Sequence, residues 1–315
     1  LSLYVYAVGD ELNRPKLPPN WTPMQPSPTG PVPDNGVGFS YVVVKNAATQ
    51  EIVISFAGTN QPIDWPQNFT NGLGLSSPQA IEAAKLYCRV RADNPNAQIT
   101  LTGHSLGGGL ASIIAVWFDV DAVVFDEAPF ELTARNPIAI NSAKVALLAA
   151  GLDLGAFAGY TGLLDFVSRE AKVANHYVAG EALAYGRALW PTIVGSVDKF
   201  IPAGVRDMNN IAGANALHSQ ALLSALLMSE SFRQATLACS RVLPQVMNAD
   251  LYDLSTKGSS RNFLLDLIRS EQSSSGTGKL SKFSIDLGKI SASVASLSVA
   301  AQDALIAQCI EWYYR

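Results

Sequence analysis

The chain has 315 residues, of which 48% are apolar and 15% charged, and a formal net charge of −4. So large a share of core formers suits one large domain with insertions, or a domain carrying a smaller appended unit. The charge balance excludes a basic surface for nucleic acid and a polybasic segment for anionic lipid.

In chain order, residues 1–12 fit either a helix or a strand, and residues 13–34, with eight prolines, read as an irregular surface wrap. Phe39 to Lys45 and Gln50 to Phe56 are β-branched and aromatic runs around an Asn46–Thr49 turn, which predicts an antiparallel hairpin. Ser77-Pro78 opens a helix that keeps its apolar spacing through Ile81, Ala84 and Cys88 and stops at Asp93-Asn94-Pro95. Residues 145–164 are mostly apolar and have the length of a membrane span. Asp153 near their centre and four glycines at positions 151, 155, 159 and 162 argue for a water-soluble segment instead. On a helix, that four-residue spacing would give a smooth face for close packing. Helical character is predicted over 141–169, strands at Lys172–Ala179 and Ile193–Ile201, and a mainly helical remainder from His218, interrupted at 255–260 and 270–279. Strand–helix alternation after a hairpin predicts an α/β protein with a mostly parallel central sheet, helices on both faces and helical insertions. Residues 1–250 are expected to form that domain, with 251–315 a mainly helical extension. Cys88, Cys239 and Cys309 stand far apart, without metal-ligand spacing and in odd number, so buried free thiols are expected and no disulfide framework.

The most informative stretch is Ile99-Thr-Leu-Thr-Gly-His-Ser-Leu-Gly-Gly108, where an alternating strand runs into Gly103-His-Ser-Leu-Gly107 and then a long apolar run to Phe118. Strand, turn and helix in that order form the context of a nucleophile elbow, in which a strained serine stands at the apex and small residues two places either side let strand and helix pass. The elbow makes Ser105 the candidate nucleophile. A serine hydroxyl needs a base, an acid to orient that base and donors for the oxyanion. Of the three histidines, His104 neighbours the serine, His176 lies inside a predicted strand, and His218 follows the last predicted strand, where this architecture places its base. His218 is the leading candidate and His176 the alternative. For the acid, Glu181 stands just past the strand ending at Ala179, with Asp198 and Asp207 as competitors between it and His218. Leu106 supplies one oxyanion N–H, and the loop after the strand ending at Phe56, continuing Ala57-Gly-Thr-Asn60, supplies the other, with Thr59 able to add a hydroxyl.

Ile54-Ser-Phe-Ala-Gly-Thr59, followed by Asp64-Trp65 and then by Thr100 to Gly108, resembles the class 3 (fungal-type) lipase family of the α/β-hydrolase superfamily. The resemblance covers about residues 40 to 220. It implies Ser105 as nucleophile, Thr59 and Leu106 at the oxyanion hole, a surface lid over 60–75, and Glu181 at the family's aspartate position. Trp65 and Phe69 in the lid, with His104 beside the serine, become the candidate substrate contacts. Two departures stand out: Ala57 replaces an arginine and Glu181 an aspartate. The chain is similar, more loosely, to lipase-like segments of large secreted bacterial proteins, which fits a start at Leu1 without methionine or signal peptide and implies an extracellular location. The expected activity is hydrolysis of lipidic carboxylic esters through an acyl-enzyme, at a lipid surface, with no cofactor, metal, nucleic-acid partner or transmembrane segment. The rival readings are an acyltransferase and a catalytically silent hydrolase fold used for binding, the latter separable by labelling with a fluorophosphonate.

Overall fold

A computed structural model describes residues 1–6, 14–24, 39–58, 78–183, 197–248, 262–274 and 277–314, with 197–200 as backbone only. The chain divides into two compact units. The first takes Leu1–Val8, Leu17–His176 and Gly186–Lys199, and the second Gly9–Lys16, Tyr177–Tyr185 and Phe200–Arg315.

The first unit is built on a mixed sheet with strands in chain order: β1 (Trp21–Pro23), β2 (Tyr41–Asn46), β3 (Ile52–Phe56), β4 (Ile99–His104), β5 (Ala122–Phe125), β6 (Val173–Val178) and β7 (Val197–Ile201). β1, β2 and β3 pair antiparallel, while β3 to β6 pair parallel. The β2–β3 hairpin forms as the sequence implies, with Val43 opposite Ile54 and Asn46 closing the turn by accepting from the N–H of Ala48 at 2.8 Å. β1 is the exception to the irregular wrap expected over 13–34: the β-compatible Trp21-Thr22 adds an edge strand to β2, and Pro23, which has no N–H to give, is tolerated at its end.

Period-two alternation sorts the hairpin's side chains between two apolar clusters. Val43, Ile52, Ile54 and Phe56 join the main core with Leu101, Ile114, Trp117 and Phe157. Val42 and Val44 point the other way and pack with Tyr4, Val5 and Ala57, against which Leu1, Tyr6 and Trp21 also rest. Residues 1–12 thus contain neither of the expected elements in their described part, but a single 3-10 turn at Tyr4–Tyr6 whose apolar side chains cover one face of β2.

Helix α1 (Pro78–Asp93) and helix α2 (Leu106–Phe118) pack together, and α2 lies against β3, β4 and β5. Its sequence, Leu-Gly-Gly-Gly-Leu-Ala-Ser-Ile-Ile-Ala-Val-Trp-Phe, is buried almost all round, as a helix without a polar face must be. The helical stretch expected from 141 begins earlier, with α3 (Glu131–Arg135) and α4 (Pro137–Ala149). Asn136 caps α4 by accepting from the N–H groups of Ile138 and Ala139, with Pro137 in the first turn, a start signal present in the sequence. No single helix runs through 145–164. α4 ends at Ala149, and Gly151, Gly155 and Gly162 take positive φ, so these glycines turn the chain instead of smoothing a helix face. The turns carry Phe157 and Tyr160 into the core ahead of α5 (Leu164–Glu170).

The second unit is helical: α6 (Ile211–Leu217), α7 (Gln220–Met228), α8 (Glu230–Ala238), α9 (Val242–Val246), α10 (Phe263–Gln272), α11 (Lys279–Ser293) and α12 (Val299–Tyr314). Short polar residues punctuate it, with Asn210, Ser219, Ser229 and Asn262 each capping the helix that follows through a side-chain oxygen. Phe232, Phe263 and Phe283 form its aromatic centre, and Arg241 clamps α12 with two bonds to Asp303 at 2.7 and 2.8 Å. Cys88, Cys239 and Cys309 are free and buried, and burial pushes the Cys88 thiol up to about 12 and the Cys309 thiol up to about 11. Among the described residues no single helix is long and apolar enough to cross a membrane, though α6 and α7, bent by 55°, reach the length and composition together.

Candidate active site

Ser105 sits between β4 and α2 with φ 56° and ψ −127°, a region that a side-chain-bearing residue enters only at a cost of about 1–3 kcal/mol. The surrounding backbone holds it there. Its N–H donates to the Phe125 carbonyl at 3.1 Å, and its own carbonyl accepts from the N–H groups of Ala128 at 2.9 Å and Gly109 at 3.0 Å.

The glycines on either side are required by distance. A Cβ on Gly103 would stand 2.2 Å from the carbonyl of Gly107, and one on Gly107 would stand 2.2 Å from the Phe56 carbonyl of β3. Backbone cannot move aside as a flexible side chain would. Gly107→Ala is therefore expected to lower stability by about 1–3 kcal/mol, the usual cost of overpacking, and to reduce turnover by displacing Leu106, whose N–H opens α2. Thermal unfolding and initial rates measured on the same preparation check both effects.

Around the elbow in this unit, the His104 ring is buried, with Nδ1 3.3 Å from the Tyr6 hydroxyl and Nε2 3.6 Å from the Asp126 carboxylate. Asp126 itself has φ 42°, and the next residue, Glu127, meets the Ser112 hydroxyl of α2 at 2.5 Å. These two buried acids escaped the sequence reading. The signal for them was the charged pair Asp126-Glu127 placed directly after the apolar strand Ala122–Phe125.

Glu181, Asp207 and His218 lie in the second unit. Gly180, with φ 79°, turns the chain as it leaves β6, and Glu181 follows it, fully buried. One carboxylate oxygen of Glu181, Oε2, accepts from the Leu183 N–H at 2.8 Å and lies 2.6 Å from His218 Nδ1. His218 caps the C-terminal end of α6, with its backbone N–H on the Ala214 carbonyl. Such an acid–imidazole pair fixes the proton on Nδ1 and leaves Nε2 able to accept one. Asp207 is engaged elsewhere, accepting from the Ser240 hydroxyl at 2.7 Å and pairing with Arg241 at 3.5 Å. Asp198 lies in β7, and its side chain is outside the described residues, as are Thr59, Trp65, Phe69 and the whole 60–75 segment. His176 faces Phe125 in a stacked ring contact within the sheet. Ala57, where the resembled family has arginine, is buried in the smaller apolar cluster, with its N–H on the Ser40 carbonyl.

Comparison with known proteins gives likenesses of different reach. The chain is 33% identical over 110 residues to the extracellular phospholipase A1 of Serratia liquefaciens, a match covering 35% of this chain and 34% of that enzyme. It thus spans about a third of that relative's length. Among solved structures, the Lip2 lipase of Yarrowia lipolytica matches with a TM-score of 0.38 at 16% identity, over 64% of this chain and 78% of that one. A triacylglycerol lipase of Penicillium expansum matches with a TM-score of 0.35 at 13% identity, over 63% and 76%. The model of the phospholipase-like family described as the Tle-like phospholipase domain matches residues 34–225, which include the hairpin, the elbow, Glu181 and His218. Because that match spans more than half of the chain, the protein belongs to this family of Tle-like phospholipase domains.

Proposed function

We propose that the protein hydrolyses the carboxylic esters of phospholipids, with Ser105, His218 and Glu181 acting as one triad. The observation that carries this reading is the strained Ser105 at the strand–helix junction of a chain from a phospholipase family. His218 takes the Ser105 proton as the hydroxyl oxygen attacks the acyl carbonyl. The N–H groups of Thr59 and Leu106 receive the oxyanion. The protonated His218 then gives its proton to the departing alcohol, and afterwards activates the water that releases the fatty acid. Glu181 holds the imidazole in the working tautomer throughout and stabilises its charged form. Phospholipid as substrate and secretion from the cell both rest on the relative named extracellular phospholipase A1.

The test is release of fatty acid from phospholipid vesicles, compared with a short-chain soluble ester and with transfer of the acyl group to an added alcohol. Wild-type protein should favour hydrolysis of the vesicle substrate. A preference for the soluble ester would replace phospholipase with general esterase. Predominant transfer to the alcohol would replace hydrolysis with acyl transfer. Trp65 and Phe69 are the proposed lipid contacts, so Trp65→Ala or Phe69→Ala should blunt the rise in rate as a long-chain ester passes from monomers to aggregates. Equal rises in wild type and variants would remove them from that role.

A further inference from the structure

The Tyr6 side chain, on the N-terminal 3-10 turn, reaches two segments far away in sequence. Its hydroxyl accepts from the N–H of Gly58 at 2.8 Å and donates to the carbonyl of His104 at 2.9 Å. The ring stands edge-on to the His104 imidazole, with centroids 5.8 Å apart. A phenolic hydroxyl has one proton to give and lone pairs to receive, so both bonds are made at once. The approach is tight. A Cβ on Gly58 would lie 2.5 Å from the Tyr6 hydroxyl oxygen and 2.9 Å from the His104 carbonyl oxygen. The turn is itself fixed, since Tyr4 and Val5 are buried in the cluster beneath β2. Burial also holds the Tyr6 phenol well above the usual tyrosine range, so it keeps its proton at any working pH.

The two bonded residues have a chemical meaning if Ser105 is the nucleophile. Gly58 immediately precedes Thr59, the proposed oxyanion donor, and His104 immediately precedes Ser105. We infer that Tyr6 is a positioning residue, whose hydroxyl locks the segment leaving β3 to the nucleophile elbow and so sets the oxyanion donors before charge develops. The inference rests on the serine-hydrolase reading. Donors for an oxyanion work only if already oriented, and their misplacement weakens the transition state far more than the bound substrate. A tyrosine that served packing alone would contribute through its ring, which phenylalanine keeps.

Tyr6→Phe separates the two roles. With a soluble p-nitrophenyl ester, kcat should fall about 10-fold to 10²-fold, somewhat less than for deletion of an oxyanion donor, while KM stays within about twofold. Fluorophosphonate should still label Ser105 to full stoichiometry, and the Gly58 amide should exchange its hydrogen faster than in wild type. As a second probe, a ring-fluorinated tyrosine placed at position 6 keeps the shape but acidifies the phenol. Its activity should fall in an alkaline range where wild type, still protonated at Tyr6, does not lose activity from this cause, because a phenolate has no proton for the His104 carbonyl. Unchanged kcat in Tyr6→Phe overturns the inference, as does a loss that vanishes once assay temperature is lowered in step with the drop in Tm, which assigns the residue to packing. If wild-type protein neither turns over ester nor takes the label, the serine-hydrolase reading fails first and this inference falls with it. If wild type does both and Tyr6→Phe matches its kcat, the inference fails alone.

Discussion

Ser105→Ala should lose about 10⁴-fold to 10⁶-fold in kcat, the scale on which removal of a triad nucleophile acts, with the fold retained. Alanine keeps the Cβ, so the positive φ at position 105 is no more costly than before, and the backbone bonds to Phe125, Ala128 and Gly109 involve no hydroxyl. Circular dichroism and thermal unfolding should therefore overlay those of wild type. Rates on vesicles and on a soluble ester should collapse together, since both need the same covalent step. Retention of wild-type turnover by purified Ser105→Ala would remove this serine from the chemistry and, with it, the proposed mechanism.

The second large effect is expected at Glu181. Its Oε2 is shared between the Leu183 N–H and His218 Nδ1, inside fully buried surroundings. In Glu181→Gln the one amide oxygen can take the place of Oε2 on both partners, but the group is neutral. A neutral amide no longer stabilises the imidazolium formed when His218 takes the serine proton, and in the flipped orientation its NH₂ faces Nδ1 and favours the tautomer with the proton on Nε2, which cannot accept that proton. The loss in kcat should be about 10²-fold to 10⁴-fold, the upper end being that of an acid-to-amide change in a serine protease triad, with little change in KM. Glu181→Asp should retain part of the activity. Asp207→Asn should instead register in stability, because Asp207 ties Ser240 and Arg241 within the second unit. Should Glu181→Gln stay near wild type while Asp198→Asn or Asp207→Asn loses 10²-fold or more, the acid would be reassigned to that aspartate.

Much of this was legible in the residues because local chemistry and global placement agree. The hairpin, β4, α2, β5 and β6 are marked by strong periodicity and by glycines that nothing larger can replace, so pattern alone finds them. That Glu181 and His218 form a pair was reachable by chain order and by elimination among three histidines. What escaped depends on contacts that sequence does not encode locally. The Trp21–Pro23 strand exists because β2 offers an open edge, which no property of a proline-rich run announces. The glycines of 151–162 fit a smooth helix or a series of turns equally well by spacing, and only their positive φ values decide. Tyr6 looked like one more apolar-run residue, since its partners lie 52 and 98 positions away. The early start of α4, by contrast, was written in Asn136-Pro137 and was overlooked because the apolar run after it begins later.

The two elbow glycines also constrain how such a site can diversify. The obstacle to a side chain at Gly103 is the backbone of Gly107, and the obstacle at Gly107 is the backbone of β3, so neither site can be relieved by shrinking a neighbour. A lineage exploring new substrates would find these two positions closed to any residue with a side chain unless backbone moved, at Gly107 a strand of the central sheet. The room for change in what the domain accepts is therefore in the connections that leave the sheet and not at the two glycines flanking Ser105.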